Sequence, residues 1–109
     1  MMRQSYTAVL ERNVTFTEVL VTEPYEVGWA REARVFVRAL DLTGRLEASA
    51  EISPDGLFWI PEGTPPVALE QAGVLSFPLR EFGHWLRIVV RATGAAPSAR
   101  VIVYLALKE

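Results

Sequence analysis

Residues 46–61, LEASAEISPDGLFWIP, decide the fold class. Leu46, Ala48, Ala50 and Ile52 recur with a period of two. That is the pattern of a half-buried strand, because successive side chains on a strand point to opposite faces. The run ends in Ser53, Pro54, Asp55 and Gly56, which suits a type I turn with proline second and glycine fourth. Out of the turn comes an unbroken apolar run, Leu57, Phe58, Trp59 and Ile60, expected to be the next strand. Neighbours on a strand face opposite ways, so one of Phe58 and Trp59 fills the core and the other faces outward. Trp59 is the expected core anchor, with Phe58 as the alternative.

Working outward, the same period continues. Strands are expected at 5–10, 14–21, 33–41, 45–52, 57–60, 74–79, 84–93 and 99–107. Thr43 and Gly44 separate two alternating runs, a hairpin signal with glycine supplying positive φ. Residues 94–98, GAAPS, are expected to join the last two strands in a long hairpin. Residues 61–66, PEGTPP, cannot be a central strand and are expected to be an exposed loop, since each proline removes a backbone donor. Only residues 67–75, VALEQAGVL, leave room for a short helix of one or two turns. Eight short strands at this spacing predict an antiparallel β-sandwich of jelly-roll type. Residues 1–109 are read as one domain, since a chain of this size buries roughly two-thirds of its unfolded surface.

Composition narrows the chemistry. The chain has no cysteine, which removes disulfides, thiolate catalysis and Cys-based zinc sites. The N-terminal stretch MMRQSYTAVLERNVTF has no apolar run long enough for a signal-peptide core, and no stretch approaches the roughly 20 apolar residues of a membrane helix. A soluble protein of the cytoplasm, or of a virion, is expected, with no membrane partner. A net charge of −2 argues against a nucleic-acid partner. The basic residues are ten Arg and one Lys. This bias is consistent with a GC-rich genome and a thermophile, although Lys enrichment is the commoner hyperthermophile mark. Acidic residues outnumber basic ones by 11 to 6 over positions 1–79, and basic outnumber acidic by 5 to 2 over 80–109. Strands of opposite sign that neutralise each other account for this split, and a polar contact between subunits is the alternative.

No catalytic constellation emerges. The single histidine, His84, cannot build a metal cluster, and beside Trp85 at a strand start it reads as structural. There is no G-x-S-x-G, P-loop or G-x-G-x-x-G. Glu47 and Glu51 share a strand face, but about 13 Å apart by strand rise, too far for paired glycosidase carboxylates. The expectation is no enzyme, no cofactor and no metal. A calcium ion on Asp55 and loop carbonyls is the one exception the residues allow.

What remains is surface. Trp29, Trp59, Trp85 and Phe58 are the candidate binding aromatics, although each Trp is more readily a packing residue. Strand 33–41 places Arg34, Phe36, Arg38 and Leu40 opposite the core face. Strand 99–107 is apolar on both faces, with Ile102 and Tyr104 on the side away from Val101, Val103 and Leu105. A strand apolar on both faces is usually central, or covered by something beyond its own sheet, such as a loop or another subunit. Arg34, Phe36, Arg38, Ile102 and Tyr104 are therefore the candidate contacts of a homo-oligomer.

The order S-P-D-G-x-x-W, a proline-rich loop, W-L-R-I-V-V-R-A-T-G and a closing V-I-V-Y-L strand resembles small β-sandwich modules of phage virion and tail-associated proteins. Ser53, Asp55, Gly56, Trp59, Trp85, Arg87, Gly94 and Tyr104 carry the resemblance. It covers roughly residues 33–107. The same order is similar to galactose-binding-like jelly rolls. The resemblance implies a non-enzymatic module that assembles or adheres, virion-like in character, with a small carbohydrate-binding module as the alternative. It supplies no binding residue of its own.

Overall fold

The computed structural model describes residues 4–109. The described residues are all-β, and every strand pairing is antiparallel. The strands are β1 (Ser5–Phe16), β2 (Val19–Val21), β3 (Tyr25–Glu26), β4 (Glu32–Ser53), β5 (Ile60–Pro61), β6 (Val67–Leu69), β7 (Gly73–Arg80) and β8 (Trp85–Lys108).

Two of these strands are too long for the molecule. Straight, the 22 residues of β4 would span roughly 70 Å. The longest dimension is 49 Å, so β4 and its 24-residue partner β8 must bend. They pair along their whole length, from Glu32 opposite Lys108 to Ser53 opposite Trp85. Both bend at the same level, and each gives one half to each layer. In the first layer the order is β1, residues 99–108 of β8, residues 32–43 of β4, then β7. In the second it is β2 and β3, residues 85–93 of β8, residues 45–53 of β4, then β5 and β6. That is jelly-roll topology, with strands switching layers at bent corners.

Here the sequence expectation is corrected. Residues 43–44 and 94–98 are not hairpin turns, and the runs 84–93 and 99–107 do not pair with each other. They are two halves of one strand, and both pair with β4. Gly44 (φ 91°) and Gly94 (φ 121°) face each other at the corner. Gly44 alone stands opposite residues 94–97, so β8 takes the longer path around the bend. A glycine between two alternating runs reads the same whether the chain reverses or turns a corner. Only the pairing partner distinguishes them.

The buried positions record the bend. In β4 they are Ala33, Val35, Val37 and Ala39, then Leu46, Ala48 and Ala50. The parity switches from odd to even because a bulge leaves Leu40 unpaired between Ala39 and Asp41. In β8 the buried set moves from Leu86, Ile88 and Val90 to Val101, Val103, Leu105 and Leu107. Both sets, with Leu75, Phe77 and Leu79 of β7, belong to one continuous core.

Three further elements differ from expectation. β1 runs through residues 11–13 with two register shifts and Asn13 at φ 56°, and it breaks at residues 17–18 before β2. Residues 67–75 form no helix: β6 ends at Leu69 and a turn leads into β7. The run Leu57 to Ile60 is not a strand, and only Ile60 and Pro61 pair with the edge of β4.

Candidate functional site

The outward faces of the two layers differ in kind. On the second layer, charge is neutralised across the central strand pair. The Arg87 guanidinium lies 2.6 Å from Glu51, and Arg91 stands opposite Glu47. Arg45 bonds Glu47 and Glu70. At the first layer's corner, Arg100 donates to Asp41 at 2.7 Å and to Asn13 at 3.0 Å. Arg87 and Arg100 thus pair across strands with carboxylates of residues 1–79, whereas Arg80, Arg91 and Lys108 are in no ion pair among the described residues.

At the open end of the second layer, residues 54–59 fold back over the outward face. Two side chains hold this loop. Ser53, buried, accepts from the backbone N–H of Asp55 (3.2 Å) and Gly56 (2.8 Å) and donates to Asp55 Oδ1 (3.0 Å). The same Oδ1 accepts from Leu57 N–H (2.9 Å) and Phe58 N–H (3.0 Å). The backbone therefore curls around Asp55 instead of extending, which is why the apolar run makes no strand. Gly56 rests against the Trp85 indole.

The expectation for Trp59 is corrected accordingly. It is half-buried and lies outside the core, and its ring sits 4.3 Å from the Arg87 guanidinium carbon. Phe58 is not a core residue either: it is 69% exposed, and Leu57 is 85% exposed. Trp29 packs on the core margin, whereas Trp85 tilts against His84, with ring centroids 5.7 Å apart. His84 Nε2 lies 3.3 Å from Glu26 Oε1, which also accepts from Gly28 N–H at 2.6 Å. The structure thus gathers Phe58, Trp59 and Trp85 at one end and leaves Trp29 in a packing role. Arg87 is the residue of this site that the sequence reading missed as a partner. Its signal was available in the cross-strand position of Glu51, once β4 and β8 are known to pair.

Trp59→Ala is consequently expected to cost about 1 kcal/mol, the range of a partly exposed cation–π contact. Denaturant unfolding measures it, and a loss above about 3 kcal/mol would place the ring in the core. The loop also predicts an acid response. The N–H groups of Leu57 and Phe58, and then the Ser53 hydroxyl, hold the Asp55 carboxyl below its ordinary range. The folded value is the depressed one, so this contribution is present above the unfolded value near 3.9 and is lost as pH falls through the folded value. Tryptophan fluorescence should report loosening of the loop in that acid window. Asp55→Ala should abolish the transition.

On the first layer, the outward face mixes apolar residues with arginines of the central strand β4. Phe36 stands directly opposite Tyr104, which in turn faces Val9 of β1. Arg38 is opposite Ile102 on one side and Val74 on the other, and Arg34 lies between Ala106 and Pro78. Val9 is 41% exposed and Val74 58%. All five oligomer candidates, Arg34, Phe36, Arg38, Ile102 and Tyr104, therefore share one face. At its β7 end is a groove of about 320 Å³, lined by residues that include Phe36, Pro78, Arg34, Arg80 and Lys108. Arg80 and Lys108 were not legible as part of this face, because neither strand end shows which neighbour it meets.

This fold is shared with known structures. The chain is similar to the SPBc2 prophage-derived protein YomS, with a TM-score of 0.70 and 9% identity over 100% of this chain and 96% of that one. It is similar to the PBSX exported protein XepA, with a TM-score of 0.72 and 13% identity, covering 94% of this chain and 36% of that one. A protein of Bacillus endospore appendages, described as disulfide-linked pili, matches with a TM-score of 0.57 and 11% identity over 96% of this chain and 87% of that one. At these identities the likeness is one of fold. The prophage-derived match agrees with the phage-module resemblance read from residues 33–107. No family model and no curated protein sequence matches the chain.

Proposed function

We propose that this chain is a non-enzymatic structural module that assembles with copies of itself through the outward face of its first layer. One observation carries the reading: Val9, Tyr104, Phe36 and Ile102 cluster on an outward sheet face that no other described residues cover, with Arg34 and Arg38 set among them and Val74 beyond Arg38. Monomers seldom expose large contiguous apolar patches. Aromatic and Arg residues around an apolar centre are the usual interface composition. The pilus and prophage folds support the same reading, and a virion or surface appendage is the setting it suits. This chain has no cysteine, so its assembly is non-covalent, unlike that of the disulfide-linked pili.

The carbohydrate-binding alternative would rely on stacking by Trp59 and Trp85. Both rings already have an intramolecular partner, Arg87 and Gly56 respectively, which favours assembly. Sedimentation should give a mass above the monomer's 12.2 kDa at micromolar concentration. Tyr104→Glu or Ile102→Glu should lower it, since both side chains are half-buried on the outward face. A wild-type mass of 12.2 kDa throughout that range would falsify the reading.

A further inference from the structure

The tip of the 53–60 loop is a preorganised apolar knob. Leu57 and Phe58 are the two large apolar side chains with the greatest exposure among the described residues, at 85% and 69%. They are not loosely held, because Asp55 binds both of their backbone N–H groups. A hydrophobic pair fixed in the open by a dedicated hydrogen-bonded turn costs little ordering entropy when it docks. Residues 54–62 carry Asp55 and Glu62 and no basic residue, while Glu51 at the base of the loop is already paired with Arg87.

The groove on the first layer has the complementary chemistry. Phe36 and Pro78 give it apolar walls, while Arg34, Arg80 and Lys108 stand around it against the single carboxylate of Glu32. Among the described residues, none of those three cations is in an ion pair. Elsewhere on the β4 and β8 ladder, Arg45, Arg87 and Arg100 are in ion pairs, whereas Arg38 and Arg91 are in none among the described residues.

We propose that the knob of one copy, Leu57 and Phe58, seats in the Phe36 and Pro78 groove of another copy. This rests on the assembly reading above and names its contact. Knob and groove lie on opposite outward faces of the sandwich, since Gly56 packs on Trp85 of the second layer while Phe36 and Pro78 belong to the first. One copy therefore cannot fill its own groove. The contact is heterologous, head to tail, and repeats into a ring or a filament. Two buried side chains of this size supply only a few hundred Å², short of the roughly 800 Å² per partner of a stable interface. The neighbouring Tyr104 and Ile102 surface must be covered in the same contact.

A mixing experiment tests this. The knob variant Leu57→Ser/Phe58→Ser and the groove variant Arg34→Glu/Arg80→Glu change exposed residues only, so each keeps the core. Each alone should sediment as a monomer. Mixed, they retain one intact contact, the knob of the groove variant in the groove of the knob variant. They should then form a dimer of 24.4 kDa, twice 12.2, and no larger species. Raised salt should weaken it, as expected for a contact with unpaired charges. If either variant alone stays oligomeric while Tyr104→Glu dissociates the wild type, the knob and groove assignment is wrong and the assembly reading stands. If both variants are monomeric but mixing restores nothing, the contact is symmetric and the proposal is again overturned. A monomeric wild type removes both.

Discussion

Gly44→Ala is expected to destabilise the protein by about 3 kcal/mol or more, the largest effect of any single methyl added to this chain. Gly44 has φ 91°, a conformation that side-chain-bearing residues rarely adopt. Such strain alone costs of order 1–3 kcal/mol. The added Cβ would also drive into the backbone carbonyl oxygen of Thr93. That atom belongs to the partner strand at the corner and cannot swing aside as a side chain would. Because both bent strands cross here, relief would have to spread into both layers. Gly63 is the control: its φ is 115°, but nothing lies within 4 Å of an added Cβ. Gly63→Ala should therefore carry only the conformational part, about 1–2 kcal/mol. Equilibrium unfolding in urea separates the two, and equal midpoints would show that the corner tolerates a side chain.

Leu105→Ala should cost about 3–5 kcal/mol, the upper part of the range for a buried leucine. Leu105 has no exposed surface and lies in the middle of the first layer, opposite Val35 of β4 and Ala8 of β1. Strand backbones on both sides hold the cavity open, so little collapse can offset the lost contacts. For a domain of this size that is a fall in Tm of roughly 10 °C or more. Val74→Ala, on the outward face of the same layer, should stay within about 1 kcal/mol. Calorimetry at a concentration where the protein is monomeric gives both values. A loss under about 1 kcal/mol for Leu105→Ala would contradict the layer assignment.

Much of this fold was legible because burial in a sandwich imposes a period of two. Val35, Val37 and Ala39 on one face and Arg34, Phe36 and Arg38 on the other could be read directly. The same parity divided Leu86, Ile88 and Val90 from Trp85, Arg87, Val89 and Arg91, although Val89 is buried. The outward candidates on strands 33–41 and 99–107 were legible for the same reason, and the β4–β8 register joins them on one face. The loop was less legible. An apolar run after a turn normally continues as a strand, and nothing in LFWI alone signals that Asp55 captures the N–H groups of Leu57 and Phe58. Hydrogen-bonding by one carboxylate overrode a run of strong strand formers, because those backbone donors had no neighbouring strand to meet.

By itself, the sequence determined the all-β class, the alternation of inward and outward residues along 33–41, 45–52, 84–93 and 99–107, and the absence of any cysteine chemistry. These follow from local rules: alternation, turn residues and composition. Tertiary structure alone decided that glycines 44 and 94 mark a shared corner, so that two apparent hairpins became two bent strands in a jelly roll. It alone decided that Trp59 meets Arg87 rather than the core, and that a groove with basic residues around it and an exposed apolar loop tip stand on opposite faces. The physical reason is the same in each case. A turn residue or a charge specifies a local conformation or a need for a partner, but not which distant strand arrives to meet it.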